Sequence, residues 1–205
     1  MTKTSPLKRA ALGLLALSAL ILCAATPQAY AADEAQPPGA LVLIDKTPIV
    51  VDASALNIRL IEEEPHEYPY VGWKAPVTYE QGVKAWAVLR FKLTGESVNS
   101  LRISVKRATI TEKLLPVTKG ISGWFKKEQG AEYQGTLELE VAIVDPNGQV
   151  IGSADAKSWA TETVSESATD KDKEKAWMNV MRVSFDNLDR DLRPTIYKSM
   201  SNFVH

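Results

Sequence analysis

The chain has 205 residues, 45% apolar and 24% charged, with a formal charge of −1. That composition excludes collagen-like, coiled-coil and wholly disordered chains, and the lack of a basic excess argues against nucleic acid as a partner. What remains is a chain able to fold around an apolar core.

Residues 1–31 read as a secretory signal. Lys3, Lys8 and Arg9 form a basic start, and Ala10–Ala24 is an uncharged apolar run that falls short of the roughly 20 residues a spanning helix needs. Ala29-Tyr30-Ala31 then offers a small-x-small cleavage site, with processing expected after Ala31. Processing there removes three basic groups and no acidic one, so the mature charge is −4. The expected location is the periplasm. Cys23, the only cysteine, lies inside the apolar run, and cleavage after Ala31 leaves no thiol. The alternative is lipidation at Cys23, but lipoprotein signals favour a small residue where Leu22 stands.

Residues 32–39 contain a polar, proline-rich tether, and 40–205 are expected to form a single α+β domain. Leu41–Ile44 is a short apolar run. Ile49–Val51 and Leu56–Leu60 have strand character, with Pro48 favouring an edge position. Residues 62–77 hold three prolines and predict a loop. Thr78-Tyr79-Glu80-Gln81 has the spacing of a capping box, predicting a helix to about Leu93 whose buried face draws on Val83, Trp86, Val88, Leu89 and Leu93, with Gly95 at its end.

Leu101, Ile103 and Val105 alternate with polar residues, and Ala108 and Ile110 continue on the other parity, so a long strand with a bulge at Lys106-Arg107 is expected. Residues 132–164 predict a hairpin, with Tyr133, Leu137, Leu139, Val141 and Ile143 inward and Asp145-Pro146-Asn147-Gly148 at the turn. Its return strand places Gly152, Ala154, Ala156 and Ala160 on one face, where small side chains admit a helix closely. After the charged run Asp170–Lys175, a long amphipathic helix carries Trp177, Met181, Ser184, Leu188 and Leu192, with Val180 and Phe185 beside them. Pro194 is expected to end or kink it, with Ile196, Met200 and Phe203 in a short terminal helix. The order β(β)-α-β-β-β-α implies an antiparallel sheet with two main helices on one face.

No catalytic signature accompanies this pattern. His66 and His205 are the only histidines, and no nucleophile elbow, zinc-protease motif or phosphate-binding glycine loop is present, so neither an enzyme nor a cofactor or metal is expected. Glu62-Glu63-Glu64-Pro65-His66-Glu67 reads as a solvated acidic loop, because extended backbone sends neighbouring side chains to opposite sides. His66 is accordingly expected to tolerate replacement.

Two aromatic sets are the candidate contacts. Trp124-Phe125-Lys126-Lys127 follow Gly120 and Gly123, an arrangement suited to a protein partner or to membrane headgroups, the alternative being a lid folded onto the sheet. Tyr68, Tyr70 and Trp73 form the second set, open to partner contact or ordinary packing.

The run LVLID at 41–45, the helix from Thr78, the hairpin YQGTLELEVAIVDPNGQVIGSADAKSWATETV and the helix bearing Asn187-Leu188-Asp189-Arg190-Asp191-Leu192 together resemble the ABC-type transport auxiliary lipoproteins of the periplasm. The resemblance is one of pattern. It implies a small α+β domain assisting lipid or solute transport between membranes, and Leu22 before Cys23 departs from the family's lipidation signal. The expectation is a non-enzymatic accessory protein contacting an envelope protein, with peripheral membrane contact as a further expectation. The alternative is a carrier holding a small apolar or lipid ligand between sheet and helices.

Overall fold

The computed structural model describes Asp45 and residues 47–116 and 128–205. The element order is β1 (Ile49–Val51), β2 (Ala55–Leu60), a 3-10 turn (Gly72–Lys74), α1 (Tyr79–Arg90), β3 (Phe91–Leu93), β4 (Ser100–Leu114), β5 (Gln129–Val144), β6 (Val150–Ser165) and α2 (Asp170–Ser199). The expected α+β class holds, with both helices on one face of the main sheet.

That sheet has the order β2-β4-β5-β6. The β4-β5-β6 meander is antiparallel as expected, but β2 joins β4 in parallel, so the sheet is mixed. The reason is the connection: α1 and the proline-rich loop between β2 and β4 carry the chain back to the starting end, which a tight hairpin would not. A second, two-stranded sheet pairs β1 with β3 in parallel. Val204 bridges β1 at Val51, and the amide of His205 donates to the Val50 carbonyl at 3.0 Å.

The β4–β5 register slips between Val105 and Arg107, as the change of parity at Lys106-Arg107 predicts. Leu101, Ile103 and Val105 before the bulge, and Ala108 and Ile110 after it, therefore all face the core. The Asp145 carboxylate accepts the amides of Asn147 and Gln149 at 2.9 and 2.8 Å, and Gly148 takes φ +83° in the same turn. These backbone donors hold the Asp145 carboxyl below its usual range.

The capping box of α1 is present: the Thr78 hydroxyl accepts from the Gln81 amide, and the Gln81 side chain accepts from the Thr78 amide. Its buried face differs from the expected one. Tyr79, Gly82, Val83, Trp86, Ala87 and Arg90 are buried, whereas Val88 and Leu89 are 72% and 52% exposed. A period of 3.6 residues steps from Val83 to Trp86, Ala87 and Arg90, so a stripe that treats every large apolar residue as core drifts off the face. The helix also ends at Arg90 and passes directly into β3, which places Gly95 in the following turn at φ +79° rather than at the helix terminus.

The charged run Asp170–Lys175 forms the first turns of α2, capped by Thr169 with Asp172 returning the bond. The stripe from Trp177 to Leu192 is buried as expected. Pro194 does not end the helix, which continues to Ser199. Ile196 and Met200 extend the same i+4 row at 0% and 1% exposure. Burying two such side chains contributes about 1.5–3 kcal/mol each, enough to offset the roughly 3 kcal/mol an interior proline costs. Phe203 lies beyond the helix, its carbonyl accepting from Asp52 at 2.9 Å.

Hydrogen bonds at Ser184 tie α1 to α2 and α2 to β6. The Tyr79 hydroxyl meets Ser184 Oγ at 2.7 Å, and Ser158 Oγ donates to the Ser184 carbonyl at 2.7 Å. Tyr79 crosses Gly135 of β5 to get there, since a Cβ at Gly135 would lie 2.5 Å from the Tyr79 hydroxyl and 3.3 Å from Val180. At the other end of α1, the Arg90 guanidinium donates to Asp189 Oδ1 and to the Thr47 carbonyl, and reaches the Asp45 carbonyl at 2.6 Å. Trp86 Nε1 donates to the same Asp189 oxygen at 3.3 Å.

Gly135→Ala is expected to lower stability by about 1–3 kcal/mol through overpacking, with part of the loss recovered in a Tyr79→Phe background, as read from denaturant melts. Asp189→Ala should cost about 3–5 kcal/mol because it leaves Arg90 buried without its counter-ion, while Arg90→Met combined with Asp189→Leu should be far milder in the same assay.

Candidate interaction surface at one end of the sheet

Every residue of the acidic loop but one faces solvent. Glu62, Glu63, His66 and Glu67 are exposed, while Glu64 turns inward and its Oε1 accepts the amides of Ile110 at 2.7 Å and Gly72 at 3.2 Å. Gly72 permits this approach, because a Cβ there would come within 2.5 Å of the carboxylate. Burial pushes the Glu64 carboxyl up, with the Ile110 and Gly72 amides opposing the shift. The solvated-loop expectation thus holds for its neighbours, and Glu64 itself is the brace that ties the loop to β4.

The aromatic segment continues from that brace. Tyr70 bridges Thr111, the Val71 amide donates to the Ile110 carbonyl at 2.8 Å, and the Glu112 amide donates to the Pro69 carbonyl at 2.8 Å. The segment therefore occupies the β4 edge beyond the end of β2, which pairs only with Ser100–Val105. Tyr68 is 65% and Trp73 39% exposed, and Tyr70 is half-buried. Trp73 Nε1 donates to the Tyr70 carbonyl at 3.2 Å, His66 stacks on its ring at 5.2 Å, and Lys74 Nζ lies 4.9 Å from the ring centroid. This surface thus presents two accessible aromatic side chains, one ammonium group and an imidazole on a rigid backbone.

Two clefts flank it. One, of about 270 Å³, lies between Glu64, His66 and Trp73 and the start of α1 at Thr78 and Tyr79. The other, of about 410 Å³, runs from Val71 and Lys74 past Glu112 to Asp170, Lys173 and Trp177 at the start of α2. Among the described residues, no group of three His, Cys, Asp or Glu side chains is arranged to hold a metal ion, and no helix is long and apolar enough to cross a membrane.

Trp124, Phe125, Lys126 and Lys127 lie outside the described residues, as does Cys23. The two ends of the segment carrying Trp124 are described: the Leu115 amide donates to the Gly130 carbonyl at 3.0 Å, so the chain leaves and re-enters at one place. Thr111, where Tyr70 bridges, is three residues from Leu114, about 10 Å at a strand rise of about 3.3 Å. The strand order therefore brings the Tyr68–Lys74 surface and the two described ends of the segment carrying Trp124 to one end of the sheet. Composition did not single out Lys74 or Glu64, although the proline spacing around Glu64 marks a loop that needs an anchor.

Fold and surface together define a two-layer α+β domain with an aromatic loop braced on a sheet edge. No family model matches the sequence, and no curated protein matches it. Solved structures similar to this chain include the minor lipoprotein of Acinetobacter baumannii, at 15% identity and a TM-score of 0.37, covering 75% of this chain and 96% of that one. Rare lipoprotein B of Shewanella oneidensis is similar at 12% identity and a TM-score of 0.36, covering 70% and 95%. These scores assign the chain to no family.

Glu64→Gln is expected to keep both amide contacts through its carbonyl oxygen and to remove the burial cost. Because the folded carboxyl titrates above its ordinary value, the native state of the parent loses stability as pH rises from below the ordinary glutamate range through the folded value. The stability advantage of Glu64→Gln should therefore grow over that rise and level off above the folded value. Glu64→Ala should be destabilising throughout, by about 1–3 kcal/mol for each amide left unpaired. Urea melts across the acidic range measure both.

Proposed function

We propose that the protein is a non-enzymatic accessory protein of the bacterial envelope, acting from the periplasm through protein contact at the Tyr68–Lys74 end of the sheet. The observation that carries this reading is the pairing of exposure with rigidity: Tyr68 and Trp73 are accessible, yet their backbone is fixed on β4 by Glu64, Val71 and Glu112. Aromatic anchors held in place lose little conformational entropy on binding and often dominate contacts. Trp124-Phe125-Lys126-Lys127 would extend the surface toward the partner or toward headgroups. A role within a lipid-transport assembly rests only on the sequence resemblance.

The carrier alternative needs space between helices and sheet. Trp86, Phe185, Met181, Leu137 and Leu139 fill that interface at 0% exposure, and Trp86 stacks on Phe185 at 6.2 Å. This packing favours the accessory reading.

The test is site-specific photo-crosslinking in cells, with the crosslinker at position 68 or 73 and a control at the exposed Val88 of α1. A discrete adduct with one envelope protein from positions 68 and 73, absent from 88, is the expected result. Adduct yield should fall at least tenfold when Trp124→Ala and Phe125→Ala are combined, with melting temperature unchanged. Equal labelling from all three positions, or full complementation by a folded Tyr68→Ser, Trp73→Ala variant, would overturn the reading.

A further inference from the structure

The helices cover one face of the main sheet, and the other face is open. Its composition changes along the strands. Near the β2 end, residues of β4, β5 and β6 carry compensating charges: Arg102 with Glu140 diagonally at 3.7 Å, Lys157 with Glu138 directly opposite at 3.5 Å, and Lys106 with Asp155 across β5. Beyond these, the cross-strand rows become Thr109–Thr136–Trp159 and Thr111–Gln134–Thr161, which bear hydroxyls, an amide and one indole.

Trp159 is 61% exposed, which is unusual for so large an apolar side chain on a regular strand. Its neighbours Ser158 and Ala160 point into the core, so strand alternation fixes its outward direction. Its backbone is held as well: Asn187 Nδ2 of α2 donates to the Trp159 carbonyl at 3.1 Å, and the adjacent Ser158 is bonded to Ser184. Directly across the strands, Thr136 and Thr109 form the floor of a cleft of about 380 Å³ walled by Tyr70, Glu62, Glu63 and Arg107. A directly opposed pair has Cβ atoms about 5 Å apart, so the indole adjoins that floor.

We propose that this open face binds an extended neutral oligosaccharide, with Trp159 as the stacking platform and Thr109, Thr136, Thr161 and Gln134 as partners for the sugar hydroxyls. The chemistry of the face selects this ligand. A sugar ring offers an apolar C–H face to an indole and a rim of hydroxyls to short polar side chains. The cross-strand pairs beside it cancel, and on the cleft wall Glu62 and Glu63 outweigh Arg107, so the face lacks the net positive field that a polyanion or an anionic headgroup layer would require. The surface is distinct from the Tyr68–Lys74 contact, with which it shares only the Tyr70 wall.

Indole resonances of the full chain, followed by two-dimensional NMR while cellohexaose or chitohexaose is added to millimolar concentration, test this directly. The Trp159 resonance, assigned with Trp159→Phe, is expected to shift with at least one sugar while Trp86 in the core stays fixed. Trp159→Ala should weaken binding at least tenfold with unchanged melting temperature, and Thr136→Val should weaken it severalfold. Failure of Trp159 to respond to either sugar would overturn the proposal. So would full affinity in Trp159→Ala, or a response only to phosphatidylglycerol vesicles.

Discussion

One guanidinium organises the junction that holds the two-stranded sheet and both helices together. Arg90 is the last residue of α1, 1% exposed, and its donors are shared between Asp189 on α2 and the Thr47 and Asp45 carbonyls that precede β1. Because Phe91 follows at once as the first residue of β3, fixing Arg90 fixes where β3 starts; because Thr47 precedes β1, it also fixes where β1 arrives. The parallel register Ile49 to Phe91 follows from these two anchors. Burial drives the Asp189 carboxyl up while the Arg90 charge and the Trp86 N–H hold it down, so the pair is best understood as a locating device whose net energy is small. Arg193 adds to it, donating to the Thr47 carbonyl at 2.6 Å and pairing with Asp45 at 3.1 Å.

The bulge in β4 has a comparable effect on the main sheet. It keeps apolar residues inward on both sides of Lys106, and it marks where one edge partner gives way to another. Below it the edge is covered by β2; above it, by the Tyr70 segment, which Glu64 secures through backbone amides. An edge that would otherwise remain available for unwanted pairing is thereby closed over most of its length. On the opposite edge, Asn187 occupies one acceptor, the Trp159 carbonyl.

Much of this was legible in the sequence because local chemistry coincides with tertiary demand. The capping box at Thr78, the Asp145–Gly148 turn, the change of parity at Lys106-Arg107 and the small-residue face of β6 each report a requirement satisfied within a few residues. The parallel pairing of β2 was not legible, since strand direction depends on where a long connection returns. Arg90 was missed because an arginine on a helix is ordinarily solvated, and nothing near it in sequence announces Asp189, ninety-nine residues away. Pro194 misled for the converse reason: its local penalty is real, but Ile196 and Met200 keep burying the same stripe. Trp159 could have been found, since the parity that places Ala154 and Ala160 inward places it outward.

The pairing of β1 bears on the order in which the molecule can assemble. The Val50 carbonyl accepts from His205, and the Asp52 amide donates to Phe203, contacts that span more than 150 residues of sequence. The β4-β5-β6 meander needs only neighbouring chain and can form early, whereas β1 must wait for residues synthesised long after it. Closing so large a loop carries an entropic cost that only a largely formed core can offset, so this small sheet should lock last in refolding and open first under native-state hydrogen exchange. The clasp therefore ties the earliest described strand to residues 203–205, so the domain is held shut by segments that lie farthest apart in the described sequence.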